Sequence, residues 1–203
     1  MNLTAGERAR EWAEGTKSLE AYLKLMQGRE YLTKGNGESL SQGRRMAKEA
    51  IALDPRYADA YALSGATHIN EVWLGTSRPK DSIAMAVALT QKALAMNGSL
   101  ADARSRFGVL YSWSGRHDEG IAEAERAVEL DPNSAMANVC VAVVLRYAGR
   151  PKEAIPALRK ALRLEPIPPD IYVQNLHCAI SRRETARKPS RFARRDSITG
   201  RTT

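Results

Sequence analysis

Phenylalanine and cysteine are scarce in this sequence, and each shortage excludes a class of protein. The 203 residues include two Phe and two Cys, and aromatic side chains make up 6% of the chain. Cys140 and Cys178 are too few for the disulfide framework of a small secreted domain, and neither lies in a zinc-binding C-x-x-C pair. Alanine is abundant instead, which favours closely packed helices over a sheet sandwich. We therefore expect an all-α fold.

Long apolar runs are also lacking. The longest clean run, Val139–Leu145, is far shorter than the roughly 20 residues that a membrane-spanning helix needs. The N-terminus, MNLTAGERAREWAEG, is charged from the start and contains no apolar core of a secretory signal. These absences predict a cytoplasmic protein with no membrane partner.

Signatures of catalysis and of cofactor binding are lacking as well. The sequence contains no P-loop, no G-x-G-x-x-G after a strand and no G-x-S-x-G. His68, His117 and His177 lie far apart and form no H-x-x-x-H pair, so they do not suggest a metal site. We expect no catalytic, cofactor-binding or metal-binding residues, and no enzymatic activity.

The net charge of +8 is concentrated at one end of the chain. Residues 182–203 contain eight Lys/Arg and two Asp/Glu, so they contribute +6 of the total. Such a polar, basic segment is typical of a disordered tail. It contains a single aromatic residue, Phe192, and lacks the interleaved aromatics of a nucleic-acid stacking platform. Nucleic acid is therefore a less favoured partner than protein.

One nine-residue phrase occurs four times with variations. It reads AIALDPRYA from Ala50, ALAMNGSLA from Ala93, AVELDPNSA from Ala127 and ALRLEPIPP from Ala161. The spacings are 43, 34 and 34 residues. A period of 34 residues is typical of stacked helix–turn–helix units.

The third copy shows the residue pattern most clearly. Its pattern residues are Phe107, Gly108 and Tyr111 on a first helix, Gly120, Ala124 and Ala127 on a second helix, and Pro132 in the following turn. With this pattern, residues 19–169 resemble the tetratricopeptide repeat family. The resemblance implies a right-handed α-solenoid of about four units and a truncated fifth, whose first helices line a concave groove.

Each residue type in the pattern has a physical reason. Gly or Ala allows the two helices of a unit, and neighbouring units, to approach closely. In the Asp131–Pro132 step, proline pushes the preceding residue out of the helical region and is expected to open the next helix. Asp131, Asn133 and Ser134 are alternative caps for that helix. Gly115 and Gly149 fit the left-handed position that ends a first helix.

The repeat register predicts the organisation of the chain. The expected segments are a polar lead-in that can be helical (1–18), a first unit with a short insertion (19–57), a second unit with an inter-helix insertion at 71–81 (58–100), a third unit (101–134), a fourth unit (135–169), a partial fifth unit or capping helix (170–181) and the basic tail (182–203). Insertions in repeat arrays usually fall in loops. Trp73 and Leu74 either extend the first helix or form an exposed contact site.

Helical periodicity also predicts which side chains face the groove. The candidate peptide-binding residues are Arg29, Asn70, Ser105, Arg106, Val109, Trp113, Val139, Val143 and Arg146. This mixture of apolar and basic side chains suits a peptide or helix with apolar anchors and some acidic residues. The predicted function is a non-catalytic protein–protein interaction scaffold.

Three longer phrases suggest a more specific relationship. LEAYLKLMQGREY (19–31), AYALSGATHINEVWLGTS (60–77) and AGRPKEAIPAL (148–158) resemble the C-terminal repeat region of bacterial class III adenylate/guanylate cyclases. The resemblance implies a bacterial signalling context without activity in this chain, because the catalytic domain precedes the repeats in those proteins. The alternative is a detached or truncated regulatory fragment of such a cyclase.

The segment DIYVQNLHCAI (Asp170–Ile180) has the pattern of a first helix in a fifth unit, but no second-helix pattern follows it. We hypothesise that a frameshift or a misplaced gene boundary ended the array. Without a partner helix, the segment is expected either to cap the array or to expose an apolar face that promotes self-association.

Overall fold

The computed structural model describes residues 15–168 and 170–180. The expected lead-in over residues 1–18 lies largely outside this range, and the expected tail over residues 182–203 lies wholly outside it. The described residues form nine delimited α-helices, and none of these residues belongs to a β-strand. They are α1 (Leu19–Lys34), α2 (Gly37–Leu53), α3 (Ala58–Leu74), α4 (Pro79–Met96), α5 (Ala101–Trp113), α6 (His117–Leu130), α7 (Ala135–Tyr147), α8 (Pro151–Leu164) and α9 (Asp170–Ile180). The all-α prediction is confirmed.

The helices belong to two compact units, and the boundary between them falls inside α5, between Ala103 and Arg104. We call them the N-terminal unit, which contains α1 to α4, and the C-terminal unit, which contains most of α5 and then α6 to α9. In the N-terminal unit, the core includes the buried side chains of Leu25, Tyr57 and Leu63.

Small residues mark the point where paired helices cross. In the C-terminal unit, a Cβ built on Gly108 of α5 would lie 2.6 Å from the carbonyl oxygen of Gly120 in α6. In the N-terminal unit, a Cβ on Gly28 of α1 would lie 3.2 Å from the carbonyl oxygen of Gly43 in α2. These backbones approach so closely because neither helix carries a side chain at the crossing.

A left-handed glycine follows each of α1, α3, α5 and α7, and the sequence predicts the last two. Gly115 and Gly149 have φ angles of 80° and 77°, which is the left-handed region. After α5, the N–H of Arg116 donates to the carbonyl of Tyr111 at 3.0 Å, and the N–H of Gly115 donates to Ser112 at 3.1 Å. This pair of bonds is the Schellman motif, and it satisfies carbonyls that the helix leaves free.

The turn after α6 differs from the sequence-based expectation. The N–H of Ser134 donates to the carbonyl of Asp131 at 3.2 Å, so Pro132 occupies the second position of a four-residue turn. The helix that follows begins three residues after the proline, at Ala135, and the Ser134 hydroxyl caps it by accepting from the N–H of Ala137 at 3.1 Å. The expectation that proline opens the helix was wrong, because its fixed φ serves the turn instead.

The aspartate of this turn also accepts a backbone hydrogen bond through its side chain. This bond explains why one copy has Asn-Gly where the others have an acidic residue and Pro. The Asp131 carboxylate accepts from the N–H of Asn133 at 3.1 Å, and Asp54 accepts in the same way from Arg56 at 3.0 Å. In the copy that lacks Asp-Pro, the side chain of Asn97 accepts from Ser99 at 3.0 Å. Asn-Gly therefore replaces Asp-Pro because an Asn side chain forms the same local turn.

The insertion expected at residues 71–81 lies mainly within helices rather than in a loop. Helix α3 continues through Trp73 and Leu74, and α4 begins at Pro79 after a connection of four residues. The two helices have 17 and 18 residues, whereas α5 and α6 have 13 and 14. Trp73 and Leu74 thus extend the first helix, and Leu74 is also 47% exposed.

A polar cluster joins α2 to α3 inside the N-terminal unit. The Arg44 guanidinium donates to both carboxylate oxygens of Glu71, at 2.5 and 3.0 Å. The same guanidinium lies 3.2 Å from Nδ1 of His68. Burial of the ring, and then the positive charge of Arg44, lower the pKa of His68, although Glu71 opposes the shift. The folded protein therefore favours a neutral His68 that can accept a hydrogen bond from Arg44.

The helix crossing in the C-terminal unit generates a first prediction. Alanine is a better helix former than glycine by about 1 kcal/mol, so Gly108→Ala would stabilise α5 if space allowed. Because the new methyl group would press on the Gly120 carbonyl, we expect a net loss of about 1–3 kcal/mol in the free energy of unfolding. The free energy of unfolding is measured by urea denaturation, with circular dichroism as the signal.

The control is the same change at Gly37, where the nearest atom to a new Cβ would be 3.7 Å away. Gly37→Ala should leave the free energy of unfolding nearly unchanged or slightly raised. If Gly108→Ala proved at least as stable as the wild type, the close crossing would be incorrect.

The polar cluster generates a second prediction. Because the pKa of His68 is lower in the folded protein, the unfolded chain takes up this proton first as the pH falls. The contribution of His68 to stability is therefore complete above its unfolded pKa of about 6.5 and is lost as the pH falls towards the folded pKa. Between about pH 7.5 and 5.5, the decline in the free energy of unfolding should be smaller in His68→Gln than in the wild type.

The measurement is chemical unfolding of both proteins at several pH values, with His177→Gln, the same change at an exposed histidine, as the control. A His68→Gln protein whose stability falls as steeply as that of the wild type would show that the ring is not held neutral by its surroundings.

Candidate binding surface

In the N-terminal unit, the predicted groove residue Arg29 is held by an ion pair between first helices. Its guanidinium on α1 lies 3.0 Å from the Asp59 carboxylate on α3. The side chains of Arg29 and Asp59 are 40% and 20% exposed, so solvent or a ligand can reach both. The pair orients a cation at the surface without enclosing it, and such a partly exposed pair contributes little to stability.

Asn70 lies on the same side of α3 as Asp59, because eleven residues are close to three full turns. The two residues are therefore separated by about 16 Å along the helix axis. The side-chain oxygen of Asn70 is buried and has no hydrogen-bond partner among the described residues. Since buried polar atoms are nearly always satisfied, this oxygen is a candidate acceptor for a donor that a ligand would bring.

In the C-terminal unit, four predicted groove residues are buried. Ser105, Val109 and Val139 have no exposed surface, and Val143 is 2% exposed. Their side chains are buried, which corrects their assignment to a ligand-facing surface. The physical reason is that a first helix is covered on several sides, as the burial of α7 over Ala137–Cys140 and Ala142–Leu145 shows.

Arg106 and Trp113 on α5 are also nearly enclosed, at 4% and 5% exposure. Side chains of this size can present only an edge to a ligand at that exposure. Both make further contacts within the structure, so their first role is in packing.

Arg146 combines partial exposure with an unused hydrogen-bond donor. It lies in the last turn of α7, where its guanidinium stacks over the ring of Tyr147 with 5.1 Å from guanidinium carbon to ring centroid. Its Nε is buried and has no hydrogen-bond partner in the described part of the chain. A guanidinium held over an aromatic ring is pre-oriented to receive a carboxylate or a carbonyl.

The structure brings together fewer of the predicted residues than helical periodicity suggests. Val139, Val143 and Arg146 share one side of α7, but only Arg146 among these three is partly exposed. The sequence-based reasoning missed Asp59, which pairs with Arg29, and Tyr147, which supports Arg146. Asp59 stands at the start of a first helix, 30 residues after Arg29, and a search for opposite charges about one repeat apart would have found it.

Among the side chains that the structure describes, no group of three His, Cys, Asp or Glu is arranged to hold a metal ion. None of the helices delimited there is long and apolar enough to cross a membrane.

Comparison with known proteins identifies the repeats. The family model for the tetratricopeptide repeat matches residues 101–134 and 141–168. A candidate adenylate cyclase of Rhizobium meliloti, adenylate cyclase 3, is 34% identical over 122 residues, which are 59% of this chain and 20% of the relative. Anaphase-promoting complex subunit 3 of Schizosaccharomyces pombe is 30% identical over 102 residues, 50% of this chain and 14% of the relative. The chain thus matches a fifth or less of the length of these relatives.

Solved structures establish the fold. A thermophilic tetratricopeptide repeat protein of Thermus thermophilus superposes with a TM-score of 0.60 at 20% identity, over 84% of this chain and 86% of that one. PilF of Pseudomonas aeruginosa superposes with a TM-score of 0.56 at 21% identity, over 79% and 67%. Residues 101–134 and 141–168 are therefore tetratricopeptide repeats, the fold is that of an α-solenoid of repeats, and the chain resembles part of a candidate adenylate cyclase.

Proposed function

We propose that this protein is a non-catalytic scaffold that binds a peptide or a helix of another protein through the first helices of its repeats. Tetratricopeptide folds typically serve protein–protein interaction. The finer proposal, a peptide bound against the first helices, is supported by polar groups that the fold leaves unused on those helices. A segment with apolar anchors and at least one carboxylate would suit the mixture of side chains.

The proposal is based mainly on the unpaired hydrogen-bond donor and the fixed orientation of Arg146. Its Nε is buried without a hydrogen-bond partner among the described residues, and its guanidinium is pre-oriented by Tyr147. Leaving such a donor unsatisfied is costly, and a bound carboxylate would remove that cost. Arg146 is the proposed anchor for the acidic residue of the partner, and Val139 and Val143 beneath it support α7 from the core.

The N-terminal unit carries similar groups, which form a separate candidate contact of their own. Asn70 offers an unsatisfied buried oxygen to a backbone N–H, and Arg29 offers a partly exposed cation that Asp59 holds in place. In this proposal, Arg106 and Trp113 act through packing and the edges they expose, while Ser105 and Val109 only support α5.

We also propose a bacterial signalling context in the cytoplasm, on the strength of the 34% identity to a candidate adenylate cyclase. The same identity favours a second candidate function, in which the chain is the regulatory part of a nucleotide cyclase and works with a catalytic domain carried elsewhere. Both candidates make the repeat region a protein-binding module.

The test of the first candidate begins with cross-linking and affinity capture from the source organism, followed by titration of the purified partner by calorimetry. Arg146→Ala should weaken binding by about tenfold or more, because a charge-assisted hydrogen bond is worth about 1.5–3 kcal/mol. Arg45→Ala, on the exposed side of α2, is the matched control and should bind like the wild type. Equal affinity of Arg146→Ala and the wild type would refute the proposed anchor.

The second candidate predicts a direct effect on cyclic nucleotide formation. A cyclase catalytic domain from the same genome, expressed without repeats, should bind the purified chain and change its rate of cyclic nucleotide formation. Arg146→Ala should reduce this effect at equal chain concentration. If the catalytic domain neither binds the chain nor changes its rate, the regulatory candidate is wrong, while the first candidate keeps its own test.

A further inference from the structure

The outward faces of α6 and α8 carry opposite charges at equivalent positions of two successive repeats. On α6, the exposed residues Asp118, Glu125 and Glu129 form an acidic stripe, and on α8 the exposed residues Lys152, Arg159 and Arg163 form a basic stripe. Each basic residue follows its acidic counterpart by 34 residues, which is the repeat period. Within each stripe the spacings are seven and four residues, so each stripe follows one side of its helix.

The reversal of sign does not affect the residues that form an ion pair at the start of each helix. Arg116 pairs with Glu119 at the start of α6, and Arg150 pairs with Glu153 at the start of α8, where Nη2 lies 2.6 Å from Oε2. These four residues are also 34 apart, but they keep the same sign in both repeats. The local ion pair explains why their charge is retained, whereas only one stripe residue, Glu129, has an ion pair within its own helix among the described residues.

The members of the stripes are largely free for an external partner. Lys152, Arg159 and Arg163 form no ion pair within residues 15–168 and 170–180, and neither do Asp118 and Glu125. Glu129 accepts from Arg126 on its own helix at 2.6 Å, an exposed contact that is easily exchanged.

The two stripes lie side by side. The pKa of Arg150, at the start of α8, is raised mainly by Glu153, and also by the charges of Glu125 and Asp118. Helix α7 packs against both α6 and α8, and successive repeats of a solenoid stack as neighbours, so the acidic stripe lies next to the basic helix. Together the stripes form one exposed surface of the C-terminal unit with an acidic half and a basic half.

From this surface we infer a homodimer, in which a second copy of the chain docks through the two stripes about a two-fold axis that runs between α6 and α8 and parallel to them. This rotation places the acidic stripe of each copy on the basic stripe of the other. Equivalent residues stand at the same height in successive repeats, so Asp118 faces Lys152, Glu125 faces Arg159 and Glu129 faces Arg163, each pair occurring twice. A two-fold axis across the helices would instead oppose like charges, which is unfavourable.

The size of this surface determines how strong the dimer is expected to be. Each helix has 14 residues and is about 21 Å long. Two such faces bury less than about 1,000 Å² in total, at the low end for specific interfaces. The dimer should therefore be weak and sensitive to salt, because its contacts are exposed ion pairs. The inference does not depend on the first helices that the proposed function uses.

The experiment is sedimentation velocity of the full chain over a concentration series, at low and at high salt. One variant reverses the acidic stripe (Asp118→Lys, Glu125→Lys and Glu129→Lys), a second reverses the basic stripe (Lys152→Glu, Arg159→Glu and Arg163→Glu), and a third carries all six changes. The wild type should dimerise at low salt, with the dissociation constant rising about tenfold or more at high salt. Each single-stripe reversal should weaken the dimer by about 100-fold or more.

The third variant and the mixture of the first two decide the geometry. The chain with both stripes reversed is again self-complementary and should dimerise like the wild type, and equal amounts of the two single-stripe variants should form a heterodimer. A contact between the basic tail and the acidic stripe would behave differently, because it would be lost when the acidic stripe alone is reversed but kept when the basic stripe alone is reversed. Circular dichroism verifies that each variant keeps its helix content, and Arg159→Gln with Arg163→Gln provides a milder version.

A wild type that stays monomeric at every concentration would overturn the inference, as would a dimer that survives single-stripe reversal or is not restored in the third variant. A monomer that binds duplex DNA and loses this binding when the basic stripe is reversed would overturn it in favour of a polyanion as partner.

Discussion

The close crossing of paired helices at small residues is the constraint on which the rest of the structure depends. Gly108 lies against Gly120, and Gly28 lies against Gly43. At these crossings backbone contacts backbone, whereas most helix pairs are separated by side chains. In the fourth repeat, Ala142 and Ala154 are both fully or almost fully buried. Because the backbones approach this closely, each helix pair packs compactly with few large side chains. This explains how a chain with two Phe can build its core from alanine.

The same constraint determines where recognition can occur. Close packing encloses the first helices, so Val109 and Val139 have no exposed surface. The proposed binding uses polar residues near the helix ends, such as Arg146, and the proposed dimer uses the outward faces of the second helices, where the charges of Glu125 and Arg159 are free to vary. The two proposals therefore concern different surfaces of the C-terminal unit.

Local features could be predicted from the sequence because each depends on a few neighbouring residues. Gly115 and Gly149 were recognisable as helix ends, since the left-handed conformation that they adopt favours glycine. The role of Pro132 was not, because a proline suits both the first turn of a helix and the second position of a four-residue turn. The site was harder to predict: in a repeat array, residues that face a groove and residues that pack against a neighbour follow the same helical period. Ser105 and Val109 could be assigned only once their burial was known.

Nuclear Overhauser spectroscopy on the labelled protein tests the central constraint most directly, because it reports which protons are close in solution. If α5 and α6 cross as described, the α-protons of Gly108 and Gly120 must give a strong cross-peak, since each glycine points its Cβ direction at the other carbonyl oxygen, at 2.6 and 2.7 Å. A spectrum in which both glycines are assigned and helical but show no contact with each other would contradict the packing from which this account is built.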